Sequence, residues 1–486
     1  MSDVASLLAS IGLGQWSSTF EEEEMDLELL SSMDVHIRAS LQELGLPSAD
    51  IEALEAALAR RKATNKVSAV NSTQPDTDGA SKPLPQQHQV QSVKSAQQET
   101  QGASNGQLLP QLHISTVFDD NRFPNVVVTP KGTVILVYGT TAVYVRRSDD
   151  GGETWSRSKR LAQGIHSGGA TVNEKTGDIL VFVEDQHPPA PLHLYRSADD
   201  GRTWAEVRTR VLPDVFGHEL AMHFNETGVT LLGGQHDGRL VRPARWYEQG
   251  DFSNQHSKHY TSAVFSDDGG ATWLPSDPFP EMGTGEAALV QLSKGAIYYN
   301  TRRHWAPLDA GEKKEPSDVE DDGTHKYKSG RTRRRWSATS RDGASWSDAA
   351  LVSELPDGPQ RNNFGLFGGL TRLDPEPALG DAGIGEAVGC DDVLLYSNVD
   401  HPSERRNGAL WVSLDGGKHW RHKRALCLDE FGYSSLAVGR PGTPSEGWVY
   451  CFYEGDRATR YFESGSVGKV ARFNAAWLFE GYYVLR

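Results

Sequence analysis

Apolar and polar positions divide the chain into three regimes. In residues 1–62 apolar residues recur at helical spacing. Leu7, Leu8, Ile11 and Leu13 open the pattern, Gly12 and Gly14 break it, and Trp16 and Phe20 resume it. Ile51, Leu54, Ala57 and Leu58 mark a further amphipathic helix, starting near Ser48 or Asp50 just after Pro47. Residues 63–111 then lose the pattern. No aromatic residue occurs from 63 to 108, and Gln, Ser, Thr, Asn and Pro dominate. Such a stretch cannot bury enough apolar area to offset its chain entropy, so it reads as a flexible linker. From about Leu112 to the end, short β-rich runs take over: 125–128, 133–138, 142–145, 178–183, 296–299, 393–396 and 447–453. Gly, Asp and Pro turns separate them, and no long amphipathic helix competes.

One phrase recurs within the β-rich region. It reads Ser148-Asp-Asp150-Gly-Gly152-Glu-Thr154-Trp155, and returns around Trp204, Trp273, Trp346 and Trp420, at Trp-to-Trp intervals of 49, 69, 73 and 74 residues. A phrase repeated at blade-sized intervals is the signature of a repeat architecture. Each copy also makes sense as a hairpin turn: Asp and Gly shape it, Ser or Thr bonds local backbone, and Trp covers it. The expected class is therefore mainly β: a six-bladed β-propeller over residues 112–486, preceded by a small all-α N-terminal domain over residues 1–62. The repeated aspartates are expected to be structural. The charged stretch from Asp309 to Arg335 reads as a long insertion. Its Arg331-Thr-Arg-Arg-Arg335 run reads as a solvated or substrate-rim cluster.

Charge and cysteines narrow the function. The 486 residues carry a formal net charge of −16, which disfavours nucleic acid and anionic membrane surfaces as general partners. Cys390, Cys427 and Cys451 are odd in number and far apart, with neither a disulfide framework nor a metal spacing. The expectation is no metal and no cofactor. The N-terminus lacks a basic leader region, and no run of about 18 apolar residues occurs, so a cytoplasmic location is expected.

Two resemblances add to this reading. The phrases Leu7-Leu8-Ala-Ser-Ile11-Gly12-Leu13-Gly-Gln15-Trp16 and Leu41-Gln-Glu-Leu44-Gly45-Leu46 resemble a sterile alpha motif (SAM) domain. That resemblance implies homo- or hetero-oligomerisation. With 12 Asp and Glu against 4 Lys and Arg in residues 1–62, a basic partner surface would suit it. The repeated phrase is the Asp box (BNR repeat), and the β-rich region resembles the sialidase, or neuraminidase, family of glycoside hydrolases. Asn121-Arg122-Phe123-Pro124 resembles that family's first arginine phrase. The stretch Thr284-Gly285-Glu286 to Asn300-Thr301-Arg302 resembles its glutamate hairpin. Ser403-Glu-Arg405-Arg406 offers two candidates for a third arginine, with spacing favouring Arg405. Gly432-Tyr433-Ser434-Ser435-Leu436 and Tyr453-Glu454 resemble its tyrosine phrase and its bracing glutamate, and Gly238-Arg239-Leu-Val-Arg242-Pro243-Ala244 resembles a family strand.

The resemblance implies release of a terminal sialic (nonulosonic) acid from a sialylated or related 2-keto sugar acid glycoconjugate. Arg122, Arg302 and Arg405 would bind the sugar carboxylate in a fork geometry that lysine cannot reproduce. Tyr433 would attack the anomeric carbon, because a carboxylate nucleophile would be repelled there. Glu286 would take its proton, and Glu454 would brace Arg122. One family element is missing: no Asp or Glu lies between Arg122 and Asp149, where the acid loop would sit. Candidates for a relocated acid are His166, the group Glu184, Asp185 and His187, and His218 and Glu219 with His223. The alternatives are a sugar-acid-binding lectin that has lost turnover, or a scaffold assembled through the helical module.

Overall fold

The computed structural model describes residues 7–17, 41, 46–51, 53–54, 56–58, 109–186, 190–222, 224, 226–246, 259–303, 334–357, 366–373, 392–401, 404–458 and 465–480. The chain divides into two compact units, Met1–Gln101 and Gly102–Arg486. In the first, residues 7–10 are helical and Gly14–Trp16 forms one tight helical turn. Leu8, Leu13, Leu41, Leu46, Ile51 and Leu54 share one apolar cluster there. Much of the SAM-like pattern, from Phe20 through Leu30, lies outside the described residues, as does the linker from 63 to 108.

The second unit is a six-bladed β-propeller. Strand β1 (Leu112–Asn121) precedes the first complete blade, β2 (Asn125–Val128), β3 (Val134–Tyr138), β4 (Ala142–Ser148) and β5 (Lys159–Gln163). The second comprises β6 (Ala170–Val172), β7 (Ile179–Glu184), β8 (Leu192–Ser197) and β9 (Ala205–Val207). The third holds β10 (Arg210–Val211), β11 (Val229–Thr230), β12 (Leu240–Trp246), β13 (Tyr260–Ser266) and β14 (Thr272–Pro275). The fourth is β15 (Thr284–Gln291), β16 (Ile297–Arg303), β17 (Arg334–Ser340) and β18 (Ser347–Pro356). The fifth is β19 (Gly369–Leu373), β20 (Val393–Val399), β21 (Gly408–Ser413) and β22 (His422–Ala425). The sixth unites β23 (Ser434–Val438), β24 (Trp448–Glu454) and β25 (Ser466–Asn474) with β1, which pairs antiparallel to β25 from Leu112↔Phe473 onward.

That closure explains why six blades carry five repeats. Each repeat turns the third strand of a blade into the fourth. In the sixth blade the fourth strand is β1, from the other end of the domain, so no turn is needed there. Within the first repeat Ser148 Oγ donates to Asp150 Oδ1 at 2.6 Å and accepts the Gly152 amide at 2.8 Å. Asp150 Oδ1 also accepts the Thr154 amide at 3.0 Å. In the second repeat, the Thr203 hydroxyl and amide hold the Asp199 carboxyl down to about 2. The aspartates are staples of the turn. Trp273 and Trp420 are buried beneath their turns, while Trp155, Trp204 and Trp346 are half-buried. Apolar strand residues fill the spaces between blades: Val127, Ile135 and Val137 of the first meet Ile179, Val181 and Val183 of the second.

Strand direction places the chemistry. The innermost strand and its neighbour are antiparallel in each blade, as in Ser434↔Tyr453 and Ala287↔Thr301. The start of the inner strand and the end of the second strand therefore meet at one face of the ring. The repeats lie at the opposite face. Arg335, expected in a solvated or rim cluster, is instead fully buried on β17. Its Nε donates to Asn300 Oδ1 at 2.7 Å and its Nη1 to Asp357 Oδ1 at 3.1 Å. Strand pairing, from Arg335↔Val352 to Thr301↔Trp336, takes it out of water. Arg331 to Arg333 lie outside the described residues.

Candidate functional site

Six residues widely spaced in sequence meet at that one face. Tyr433 immediately precedes β23, Glu454 ends β24, Glu286 and Arg302 face each other across the β15–β16 hairpin, Arg122 follows β1, and Arg405 precedes β21. All six are buried. Tyr433 Oη donates to Glu286 Oε1 at 2.5 Å. Arg302 Nη1 donates to Glu286 Oε2 at 2.6 Å and reaches Tyr433 Oη at 3.1 Å. The phenol thus sits between a carboxylate and a guanidinium. The other two arginines flank its ring, with Arg122 Cζ 5.4 Å and Arg405 Cζ 5.5 Å from the ring centroid. Arg406, the alternative third arginine, is exposed and pairs with Glu404 at 3.5 Å.

Glu454 holds this group together. Its Oε1 accepts Arg122 Nε at 2.9 Å and the Phe123 amide at 3.1 Å. Its Oε2 accepts Arg122 Nη2 at 3.3 Å and the Tyr433 amide at 3.2 Å, with Arg405 Nη1 at 4.0 Å. One carboxylate therefore touches two guanidiniums and the backbone of the tyrosine.

Burial and charge set opposite tendencies on the central pair. Burial would raise the Glu286 carboxyl, but Arg302 and Arg245, with the Tyr433 hydrogen bond, bring it below its ordinary value. Burial and the Glu286 charge raise the Tyr433 phenol, against the lowering pull of Arg302, Arg405 and Arg122. At neutral pH this is a carboxylate accepting from a neutral phenol. Such a pair has the chemistry to act as a base beside a nucleophile. Three guanidiniums surround the phenol, one at its oxygen and two beside its ring, a grouping whose chemistry suits a carboxylate ligand. Among the described residues no group of three or more His, Cys, Asp or Glu is arranged to hold a metal ion. The thiols of Cys427 and Cys451 are free, and Cys390 is outside the described residues.

The expected acid candidates scatter. Asp185 is exposed and lies 3.4 Å from His193 Nε2. Glu219 is exposed, and His187 and His223 fall outside the described residues. His166 is half-buried, with its ring 4.2 Å from that of Phe123, which itself meets Tyr433 edge-on at 5.5 Å.

The structure also brings up Arg245 and Glu226, which sequence patterning left unmarked, beside Glu184 of the candidate acid group. Arg245, at the end of β12, has Nη1 3.9 Å from Glu286 Oε1 and Cζ 3.3 Å from the Phe224 ring centroid. Its only signal was its place just after the Arg242-Pro243-Ala244 phrase. Beside it, Glu184 accepts the Met222 amide at 2.8 Å and Glu226 accepts the Ala287 amide at 2.9 Å. Burial pushes the Glu184 carboxyl up to about 8, against the Met222 hydrogen bond and the charges of Arg245 and Arg242. Burial likewise raises Glu226.

Glu184 makes stability depend on pH. Above an ordinary carboxyl pKa, and up to about 8, the native state keeps a proton that the unfolded chain has released. Native Glu184 then binds more protons, so its contribution falls as pH rises through this window. Glu184→Gln is neutral throughout and removes that slope. Its urea midpoint is expected to gain on that of wild type as the pH is raised from about 5 to about 8. Parallel pH profiles for the two proteins would show that Glu184 is not protonated in the native state.

Relatives share this architecture. A sialidase of Micromonospora viridifaciens is 26% identical over 398 residues, which cover 74% of this chain and 52% of the relative. A sialidase of Bacteroides fragilis is 24% identical over 370 residues, covering 66% and 59%. The chain thus spans little more than half the length of these curated relatives. Among solved structures, the leech intramolecular trans-sialidase superposes with a TM-score of 0.51 at 14% identity, covering 74% of this chain and 68% of that one. The Hadza microbial sialidase Hz136 superposes with a TM-score of 0.50 at 22% identity, covering 72% and 65%. These likenesses establish a shared propeller fold. The BNR repeat-like domain model matches residues 124–444, well over half of the chain, and the protein therefore belongs to the BNR repeat-like family.

Proposed function

We propose that the propeller is a sialidase-like glycoside hydrolase that releases a terminal sialic or related 2-keto sugar acid. The observation that carries this reading is the buried Tyr433–Glu286 hydrogen bond beneath three arginines. Arg122, Arg302 and Arg405 hold the sugar carboxylate and with it the anomeric carbon over Tyr433 Oη. Glu286 takes the phenol proton as the oxygen–carbon bond forms, so no free phenolate need exist beforehand. Arg302 serves twice, since it also steadies the negative charge as it moves from Glu286 toward Tyr433. The sialidases among the relatives support the substrate class.

A binder with no turnover would need the arginines and not a base paired with a phenol. The intact pair therefore favours hydrolysis over the lectin reading. The test is turnover of a fluorogenic sialoside by the full chain, with sialic acid binding measured by calorimetry on wild type and Arg302→Ala. Hydrolysis by wild type, with binding weakened about 10- to 100-fold in the variant, is the expected result for loss of a charged hydrogen-bond donor. Binding without turnover would leave the lectin. Neither binding nor turnover would remove both.

A further inference from the structure

A glycosidic oxygen that departs as an alkoxide needs a proton. Neither carboxylate beside Tyr433 is placed to give one. Glu286 accepts from Tyr433 on one oxygen and from Arg302 on the other. Both oxygens of Glu454 accept from guanidinium and amide donors. The donor has to be another side chain beside the site.

One segment beside the site is held in a conformation that ordinary residues avoid. His166, Ser167, Gly168 and Gly169 have consecutive φ values of +56°, +64°, +74° and +60°. Glycine enters the left-handed region freely, but a histidine followed by a serine there is uncommon. Surrounding bonds enforce the turn. The His166 amide donates to the Thr140 carbonyl at 3.4 Å, the Ile165 amide to the Glu184 carbonyl at 2.9 Å, and the Gly168 carbonyl accepts Arg242 Nη1 at 3.0 Å. A Cβ at Gly168 would collide with the Phe182 carbonyl, so the turn is pressed directly onto β7. Phe123, the residue after Arg122, is also left-handed at φ +59°, and its amide is fixed by Glu454.

The side chains of these two strained positions meet. The His166 ring lies 4.2 Å from that of Phe123 and 5.0 Å from that of Phe224. Phe123 packs edge-on against Tyr433, and Phe224 carries Arg245 on its face. Strain maintained in two neighbouring segments, and converging on the wall beside the nucleophile, points to a side chain whose position matters. Unlike Glu184, which is 2% exposed, His166 is only half-buried.

We propose that His166 is the general acid and base of the hydrolysis described above, an inference that rests on that reading of the site. As imidazolium it gives its proton to the glycosidic oxygen while the bond from that oxygen to the anomeric carbon breaks. In the same step Tyr433 Oη bonds to the anomeric carbon and passes its own proton to Glu286. As neutral imidazole it then takes a proton from water. The resulting hydroxide displaces Tyr433, which recovers its proton from Glu286. Sugar acid and alcohol leave, and all three side chains return to their starting states.

The test compares two leaving groups in the full-length protein. Sialyllactose releases an alcohol that needs protonation, whereas a nitrophenyl sialoside releases a phenolate that does not. His166→Asn is the variant of choice because asparagine tolerates the left-handed conformation. It is expected to lose about 10²- to 10³-fold in kcat/KM, which reports the first bond-breaking step, on sialyllactose and less than about tenfold in kcat/KM on the nitrophenyl sialoside. A merely structural role would lower both alike. Equal losses, no loss, or the same selective loss in Glu184→Gln with His166→Asn unaffected would overturn the assignment while leaving the sialidase reading intact. A wild-type protein inert on both substrates would overturn the two together.

Discussion

Tyr433→Phe is expected to lower kcat on a nitrophenyl sialoside by about 10³-fold or more, with the affinity for free sialic acid changed by less than about threefold. The substitution removes one oxygen and little else. The ring keeps its edge-on contact with Phe123 at 5.5 Å and its contact with Phe367 at 6.2 Å. Arg302 keeps Glu286 as its partner at 2.6 Å. Only the bond from Tyr433 to Glu286 and the contact from Arg302 are lost. A selective fall in kcat would separate nucleophile from binding surface. Glu286→Gln removes the proton acceptor instead, and the double variant should be little worse than either single one, since both disable the same step. Retention of more than about a tenth of wild-type kcat in Tyr433→Phe would remove the tyrosine from the chemistry.

Much of this arrangement was legible in the chain because it is local. The five Ser-x-Asp turns announce the blades, since each is stapled by bonds within five residues, as between Ser148, Asp150, Gly152 and Thr154. The site phrases were legible for a related reason: Glu286 and Arg302 lie across one hairpin, and Tyr433 and Glu454 across another. What was not legible depends on distant partners. Arg335 resembles any member of a charged run until Asp357 and Asn300 fold against it. Arg245 matters because Phe224 and Glu286 approach it from separate segments. The left-handed His166 turn depends on Arg242 and the β7 backbone, and its Gly-Ile-His-Ser-Gly-Gly sequence alone specifies only a loop. The sixth blade carries no phrase at all, because β1 supplies its last strand.

Blade closure and the proposed carboxylate recognition converge on Glu454, where the second large effect is expected. Strand β1 closes the ring by pairing with β25, and the chain then runs directly into Arg122. Glu454, on the neighbouring β24, grips that arginine, the Phe123 amide after it and the Tyr433 amide. It is fully buried, and the Arg122 side chain is only 10% exposed. Glu454→Ala leaves Arg122 without that counter-charge in a dry setting, with Arg405 only 4.0 Å from the vanished oxygen. Truncating one member of a buried pair costs about 3–5 kcal/mol, so the variant should unfold at clearly lower urea. Glu454→Gln keeps the shape and one acceptor oxygen but not the charge. It should fold, yet place Arg122 poorly and weaken sialic acid binding by about tenfold or more. If Glu454→Ala stays within about 1 kcal/mol of wild type, Arg122 is held by other contacts and the ring closes without this carboxylate. If Glu454→Gln binds sialic acid normally, the arginine is positioned by the backbone of β1 and β2 alone.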